Sequence, residues 1–220
     1  PDTLIKFQVI DDNSSGENLK KVKDLINTHG IDCEIINHDK SEHKEKIAAE
    51  NNQETFGNLS SLLKCFEVAK KDQSDLIYFV EDDYLHYEYS LVDMLNTYER
   101  VSSQHKDEII VCPSDYPFNY MNNEKTNILI GSQQHWRTIT KMPCTFMISK
   151  KMFQKHIDNF EKTCEKRHEP FEKYLNKILE SEIGISPIKS LAIHMTNVNS
   201  SYGLSPFIDI KKLWEENKIS

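Results

Sequence analysis

The run Leu76-Ile77-Tyr78-Phe79-Val80 stops abruptly at Glu81-Asp82-Asp83-Tyr84. An apolar run this short reads as a buried strand, and its end drops into concentrated negative charge. Adjacent carboxylates repel one another, so a fold that keeps them together needs an offset. A hard divalent cation is one, because Mg²⁺ or Mn²⁺ takes carboxylate oxygens and bridges to substrate phosphates. In open α/β sheets ligands collect at the carboxyl ends of the strands. The plainer alternative is a solvated acidic turn.

The chain of 220 residues is long enough for one α/β domain with a sizeable core. A formal net charge of -8 and the absence of a basic stripe argue against a nucleic-acid groove. No apolar stretch approaches the roughly 20 residues of a membrane span, and no signal peptide is visible. Cys33, Cys65, Cys112, Cys144 and Cys164 are scattered, with no C-x-x-C. That pattern favours reduced thiols in a cytoplasmic protein, as core filler, over a disulfide framework or a zinc site. Neither G-x-G-x-x-G nor G-x-x-x-x-G-K-[ST] occurs, which leaves no glycine-rich phosphate loop.

Residues 4–10 read as a strand running into Asp11-Asp12-Asn13-Ser14-Ser15. Ser14 or Ser15 caps a helix over 17–28, with Leu19, Val22, Leu25 and Ile26 on one face and Gly30 at its end. A strand over 31–36, a charged surface excursion over 38–55 and a helix over 59–71 opened by Gly57-Asn58 follow. After the strand at 76–80, the periodicity predicts a largely helical 84–103, a strand at 108–112 and an aromatic loop at 113–123. Strands at 127–131 and 143–148 flank a loop with Trp136 and Arg137. Helices over 151–166 and from Pro170 to Glu180, and a short strand at 191–194, complete the pattern before a flexible-looking 195–203. With no repeat, low-complexity segment or linker, the expectation is a single domain. Its alternating first half argues for a mainly parallel sheet flanked by helices.

Val9-Ile10-Asp11-Asp12-Asn13-Ser14-Ser15 resembles the V-D-D-x-S strand end of family 2, GT-A-fold glycosyltransferases. Gly57-Asn58, the helix after it and the run from Ile77 to Asp83 resemble that family's next block, ending in its D-x-D-type motif. Order and separation agree over roughly the first half of the chain. Pro143-Cys144-Thr145-Phe146 resembles the acceptor-side strand, and Leu191-Ala192-Ile193-His194 a late strand ending in a metal-ligand histidine. The family normally begins with a strand and helix that precede the V-D-D-x-S strand. Here the chain starts almost on that second strand, so the resemblance implies either that the first βα unit is absent or that the fold differs.

The resemblance implies a metal-dependent transferase that moves a sugar from a nucleotide diphosphate, a UDP-sugar first among them, to a hydroxyl on a glycan, lipid-linked or protein acceptor. Residues 1–110 would hold donor and metal, and 111–220 the acceptor, in a cytoplasmic protein or one peripheral to a membrane. Asp83 is the leading ligand for Mn²⁺ or Mg²⁺, with Glu81 and His194 beside it, and Asp11, Asp12 and Asp82 contact the donor nucleotide. Glu169, as a helix N-cap, or Glu172, as the third helical residue, takes the proton from the acceptor in an inverting displacement. Trp136, Arg137 and Tyr116, with Phe118 and Tyr120, offer an acceptor platform. Each assignment has a structural alternative: helix capping for Asp11, Asp12, Glu169 and Glu172, a core or solvent histidine for His194, ordinary loop packing for the aromatics. The other histidines lie mostly in polar surroundings and carry no assignment. Two further functions stay open, a nucleotidyltransferase of similar fold and a degenerate nucleotide-sugar-binding module.

Overall fold

The computed structural model describes residues 4–47, 50–121, 123–199 and 204–218. The chain packs as two compact units. One comprises the chain up to Asp72 with Phe160–Phe171, the other Gln73–Asn159 and the chain from Glu172 onward.

The first unit is built on a parallel pair, β1 (Phe7–Asp11) and β2 (Cys33–Asn37), in register from Phe7↔Cys33 to Asp11↔Asn37. The crossover helix α1 (Gly16–His29) begins where the Ser15 hydroxyl accepts from the Asn18 N–H. It ends at Gly30, whose φ of 60° is left-handed and lets the Gly30 and Ile31 N–H groups cap the last carbonyls. No residue of α1 is buried. The core of the unit comes from α2 (Gln53–Lys71), which starts at the Asn52 cap and buries Phe56, Leu59, Leu63, Phe66 and Ala69. Phe66 meets Phe160 with ring centroids 5.1 Å apart. Helix α2 thus begins well before residue 59, because the Asn52 side chain captures the Thr55 N–H, and Gly57 lies inside it. The expected surface excursion is partly core: His38, His43 and Ile47 are buried.

In the second unit, β3 (Leu76–Phe79), β5 (Ile109–Val111), β6 (Ile128–Ile130), β7 (His135–Ile139), β8 (Phe146–Ser149) and β9 (Ile183–Pro187) form a six-stranded sheet ordered β3-β8-β5-β9-β7-β6. Only β5–β9 is parallel; the other pairs are antiparallel. The expected mainly parallel sheet is therefore corrected to a mixed one. The alternating first half contributes only β3 and β5 to it, and the other four strands come from the second half.

Helix α3 (Ser90–His105) lays Met94 and Val101 on this sheet, against Ile109, Val111, Trp136, Met147 and Ile185. Each such side chain contributes roughly 1.5–3 kcal/mol by burial. A Cβ on Gly131 would stand 2.2 Å from the Trp136 ring, so only glycine fits the turn that follows β6. Residues 84–103 are not continuously helical: β4 (Tyr84–His86) pairs antiparallel with β10 (Ala192–His194). The loop expected around Trp136 and Arg137 is strand β7. The helix expected over 151–166 breaks at His156 into α4 (Lys150–Lys155) and α5 (Ile157–Thr163), and the boundary between the units falls within α5.

Helix α6 (Lys173–Ile178) begins later than Pro170, its first hydrogen bond running from Asn176 N–H to the Glu172 carbonyl. Glu172, not Glu169, therefore occupies its N-cap position, without a side-chain capping bond. Met195–Asn199 is a 3₁₀ turn, residues 200–203 of the flexible-looking segment lie outside the described residues, and α7 (Ile210–Glu216) follows. No described helix is long and apolar enough to cross a membrane, and Cys33, Cys65, Cys112 and Cys164 are free thiols.

Candidate active site

Strand β3 ends at Phe79, opposite Phe146 of β8, and Glu81-Asp82-Asp83 forms the turn that hands the chain to β4. Neighbouring β8 fixes the first acid. The Glu81 N–H donates to the Thr145 hydroxyl at 3.0 Å, and that hydroxyl lies 3.3 Å from the Glu81 carboxylate. Burial, then the charge of Asp83, pushes the Glu81 carboxyl up to about 7; Glu172 and Asp82 add to the shift, and Thr145 opposes it. Asp82 is exposed.

Strand β4 fixes the third acid. Its register sets Tyr84 directly opposite His194 of β10, and the Met195 N–H donates to the Asp83 carbonyl at 2.9 Å. Asp83 Oδ2 then stands 2.7 Å from His194 Nε2. The Tyr84 ring stacks on the imidazole, centroids 4.7 Å apart and planes 13° from parallel. The other ring nitrogen, Nδ1, is 2.9 Å from the Tyr116 hydroxyl, which in turn bonds the Tyr84 hydroxyl. Burial raises both phenols far above their ordinary values, so both stay protonated. Asp83 and His194 keep side-chain exposures of 37% and 22%, whereas Tyr84 and Tyr116 are buried. The second unit therefore brings together Glu81, Asp83, His194 and Tyr116, with Glu172 near enough to act on Glu81.

Trp136 and Arg137 do not form an acceptor platform. Trp136 is wholly buried in the core, its ring faces covered by protein. Arg137 is buried and bonds Asp115 at 2.5 Å, with its guanidinium 4.1 Å over the Tyr120 ring. Asp115 also accepts from Tyr120 and Ser205. Sequence reasoning missed Asp115 and Thr145. The available signal for Asp115 was an acid inside an otherwise aromatic loop, for which the chain must find a cation.

Asp11, Asp12 and Glu169 belong to the first unit. Asp11 is nearly buried, its carboxylate accepting weakly from the Ser14 N–H at 3.3 Å. Asp12 faces the Lys40 ammonium at 4.0 Å and lies beside Gly57. Glu169 is exposed. The same unit holds an arrangement that the sequence reading left unassigned. The Ser60 hydroxyl is 2.8 Å from both His38 Nε2 and His43 Nδ1, and His43 Nε2 is 3.2 Å from Glu67, which also pairs with Lys46.

Among the described residues no group of three or more His, Cys, Asp or Glu side chains is arranged to hold a metal. A cation that shares its coordination with substrate phosphates needs only one or two carboxylates. Asp83 supplies one such carboxylate with the His194 imidazole 2.7 Å from it, and an imidazole suits Mn²⁺ better than Mg²⁺. No protein-family model matches the sequence, and no curated protein matches it significantly.

Proposed function

We propose that the protein is a metal-dependent glycosyltransferase that moves a sugar from a nucleotide-diphosphate donor to a hydroxyl acceptor with inversion. One observation carries the reading. The Asp83–His194 pair lies at the end of an apolar strand beside Glu81 and Asp82, and no lysine or arginine among the described residues pairs with any of the three acids. That uncompensated charge, partly open to solvent, is what a cation between carboxylate and diphosphate would offset. Mn²⁺ or Mg²⁺ held by Asp83 and His194 would neutralise the departing diphosphate.

The chain's own groups take the remaining work. Thr145 fixes Glu81 in the turn, and Glu81 supports the site at one remove from the metal. Glu172, at the start of α6 and electrostatically coupled to Glu81, is the better base for the acceptor hydroxyl. Glu169 lies in the other unit. The acceptor class is a glycan, lipid-linked or protein hydroxyl.

The test is a thermal-shift screen of nucleotide-diphosphate sugars with and without Mn²⁺. A ligand that binds the native state raises stability by mass action, about 2.7 kcal/mol at a hundredfold excess over Kd. One donor should raise the melting temperature only when Mn²⁺ is present. No shift with any donor, or a shift indifferent to Mn²⁺, overturns the reading.

A further inference from the structure

We infer that Tyr116, backed by Tyr84, is a positioning residue that sets the tautomer and ring orientation of His194. The inference rests on the assignment of His194 to the cation site only for its consequence, not for its geometry. A carboxylate can only accept, so the 2.7 Å contact with Asp83 Oδ2, itself 37% exposed and open to competing water, draws the proton of a neutral imidazole toward Nε2 without fixing it there. Nδ1 is then an acceptor and takes the Tyr116 O–H at 2.9 Å, and the Tyr116 oxygen accepts from Tyr84. Every proton in the chain runs one way. The Tyr84 ring lies against the face of the imidazole, 13° from parallel, and so opposes its tilting.

Were a cation held by His194, Nε2 would have to give up its proton, and the neutral ring would carry it on Nδ1 instead. The chain can follow, because a phenol both donates and accepts. Tyr116 then accepts from Nδ1 and donates to Tyr84. A buried phenylalanine at 116 could do neither, and Nδ1–H would be left without an acceptor. Outer partners of this kind orient metal-binding histidines, and their loss typically costs 10–100-fold in affinity. Tyr116 thus acts on the site through His194, rather than as an acceptor platform.

The experiment uses the 220-residue chain, in wild-type, Tyr116→Phe and Tyr84→Phe forms, with circular dichroism to confirm folding. Long-range ¹⁵N–¹H spectra of the cation-free proteins report the His194 tautomer. Titration with Mn²⁺ alone, followed by electron paramagnetic resonance, reports affinity. The wild type should show the Nε2–H tautomer. Tyr116→Phe should mix the tautomers and weaken Mn²⁺ binding about 10–100-fold. Tyr84→Phe, which keeps the stacked ring, should move both readouts the same way by less. If the tautomer responds as expected and even the wild type binds no Mn²⁺, the positioning role stands and the metal assignment falls. Wild-type tautomer and unchanged affinity in Tyr116→Phe overturn the positioning role. If that variant does not fold, the same result in Tyr84→Phe overturns it.

Discussion

Each unit contains a chain of hydroxyl, imidazole and carboxylate, and the two chains end differently. In the first unit it runs from His38 through Ser60 and His43 to Glu67; His38, Ser60 and His43 are buried, and Glu67 is neutralised by Lys46. In the second it runs from Tyr84 through Tyr116 and His194 to Asp83. The terminal carboxylate there is 37% exposed, lies beside Glu81 and Asp82, and pairs with no described lysine or arginine. The inner geometry is similar, so a histidine held by a hydroxyl and a carboxylate does not by itself mark a functional site. What sets the second chain apart is its open end, which no described lysine or arginine meets. The first chain ties residues 38–43 to α2, and the second leaves a charge for something else to meet.

The largest effect should come from breaking the sealed chain. His43→Ala leaves the Glu67 carboxylate and the Ser60 hydroxyl without their buried partner and opens a void beside them. The expected cost is about 2–4 kcal/mol of unfolding free energy in urea, with Mn²⁺ affinity unchanged. A stable variant that loses Mn²⁺ binding would erase the distinction between the two chains. The converse substitution is Asp83→Asn, which keeps the shape and one acceptor while removing the charge. Mn²⁺-dependent nucleotide binding should fall at least tenfold, about 1.4 kcal/mol, with the urea midpoint almost unmoved. Equal binding by calorimetry would show that Asp83 is not a ligand.

The contrast between local and distant pairing explains what could be read from the sequence. Strand β1, helix α1 with its Ser15 and Gly30 caps, and the β3 run were legible because apolar period and caps are written within a few neighbouring residues. The three-residue strand β4 was not, because it exists only by pairing with β10 more than 100 positions away. Nor was β7, whose Arg137 makes it look like a loop until Asp115 is seen to meet it. At the site, Asp83 and His194 were singled out by resemblance, and the β4–β10 ladder brings them to 2.7 Å. The sealed chain escaped notice because His38, His43 and Glu67 stand among lysines and glutamates in sequence. Only the packing of residues 38–47 on α2 buries the two imidazoles.

A smaller effect separates the units by pH. Glu81 has its carboxyl raised to about 7 in the folded state, chiefly by burial and then by Asp83. Between its unfolded value near 4.5 and about 7 the folded protein holds the extra proton. That contribution is full below the unfolded value and is lost as pH rises through about 7. Glu81→Gln should therefore gain on the order of 1 kcal/mol relative to wild type at pH about 8 and little at pH about 4. A difference between the two proteins that does not vary with pH would mean that the carboxyl is not perturbed in the fold.

The smallest effect has the opposite sign and belongs to the sealed chain. With His43 neutral and donating from Nε2 to Glu67, its Nδ1 accepts from Ser60, and Ser60 accepts from His38 Nε2–H. His38 Nδ1 is left bare, buried and without a partner. A second proton on that ring would have to enter there, with no acceptor to receive it. Burial first and His43 second lower the His38 pKa, Lys64 adds to this, and Asp12 and Glu42 pull the other way. The unfolded chain accepts its proton near the ordinary value of about 6.5, and the folded chain only at lower pH. Between the two the unfolded state holds more protons, so stability is full above about 6.5 and falls as pH drops through it. The dependence of unfolding free energy on pH, measured in urea from about pH 7 to about pH 5, should be shallower in His38→Gln, whose amide can still donate to Ser60. Equal slopes in the two proteins would mean that His38 protonates freely in the fold, and that the first chain is no more sealed than the second.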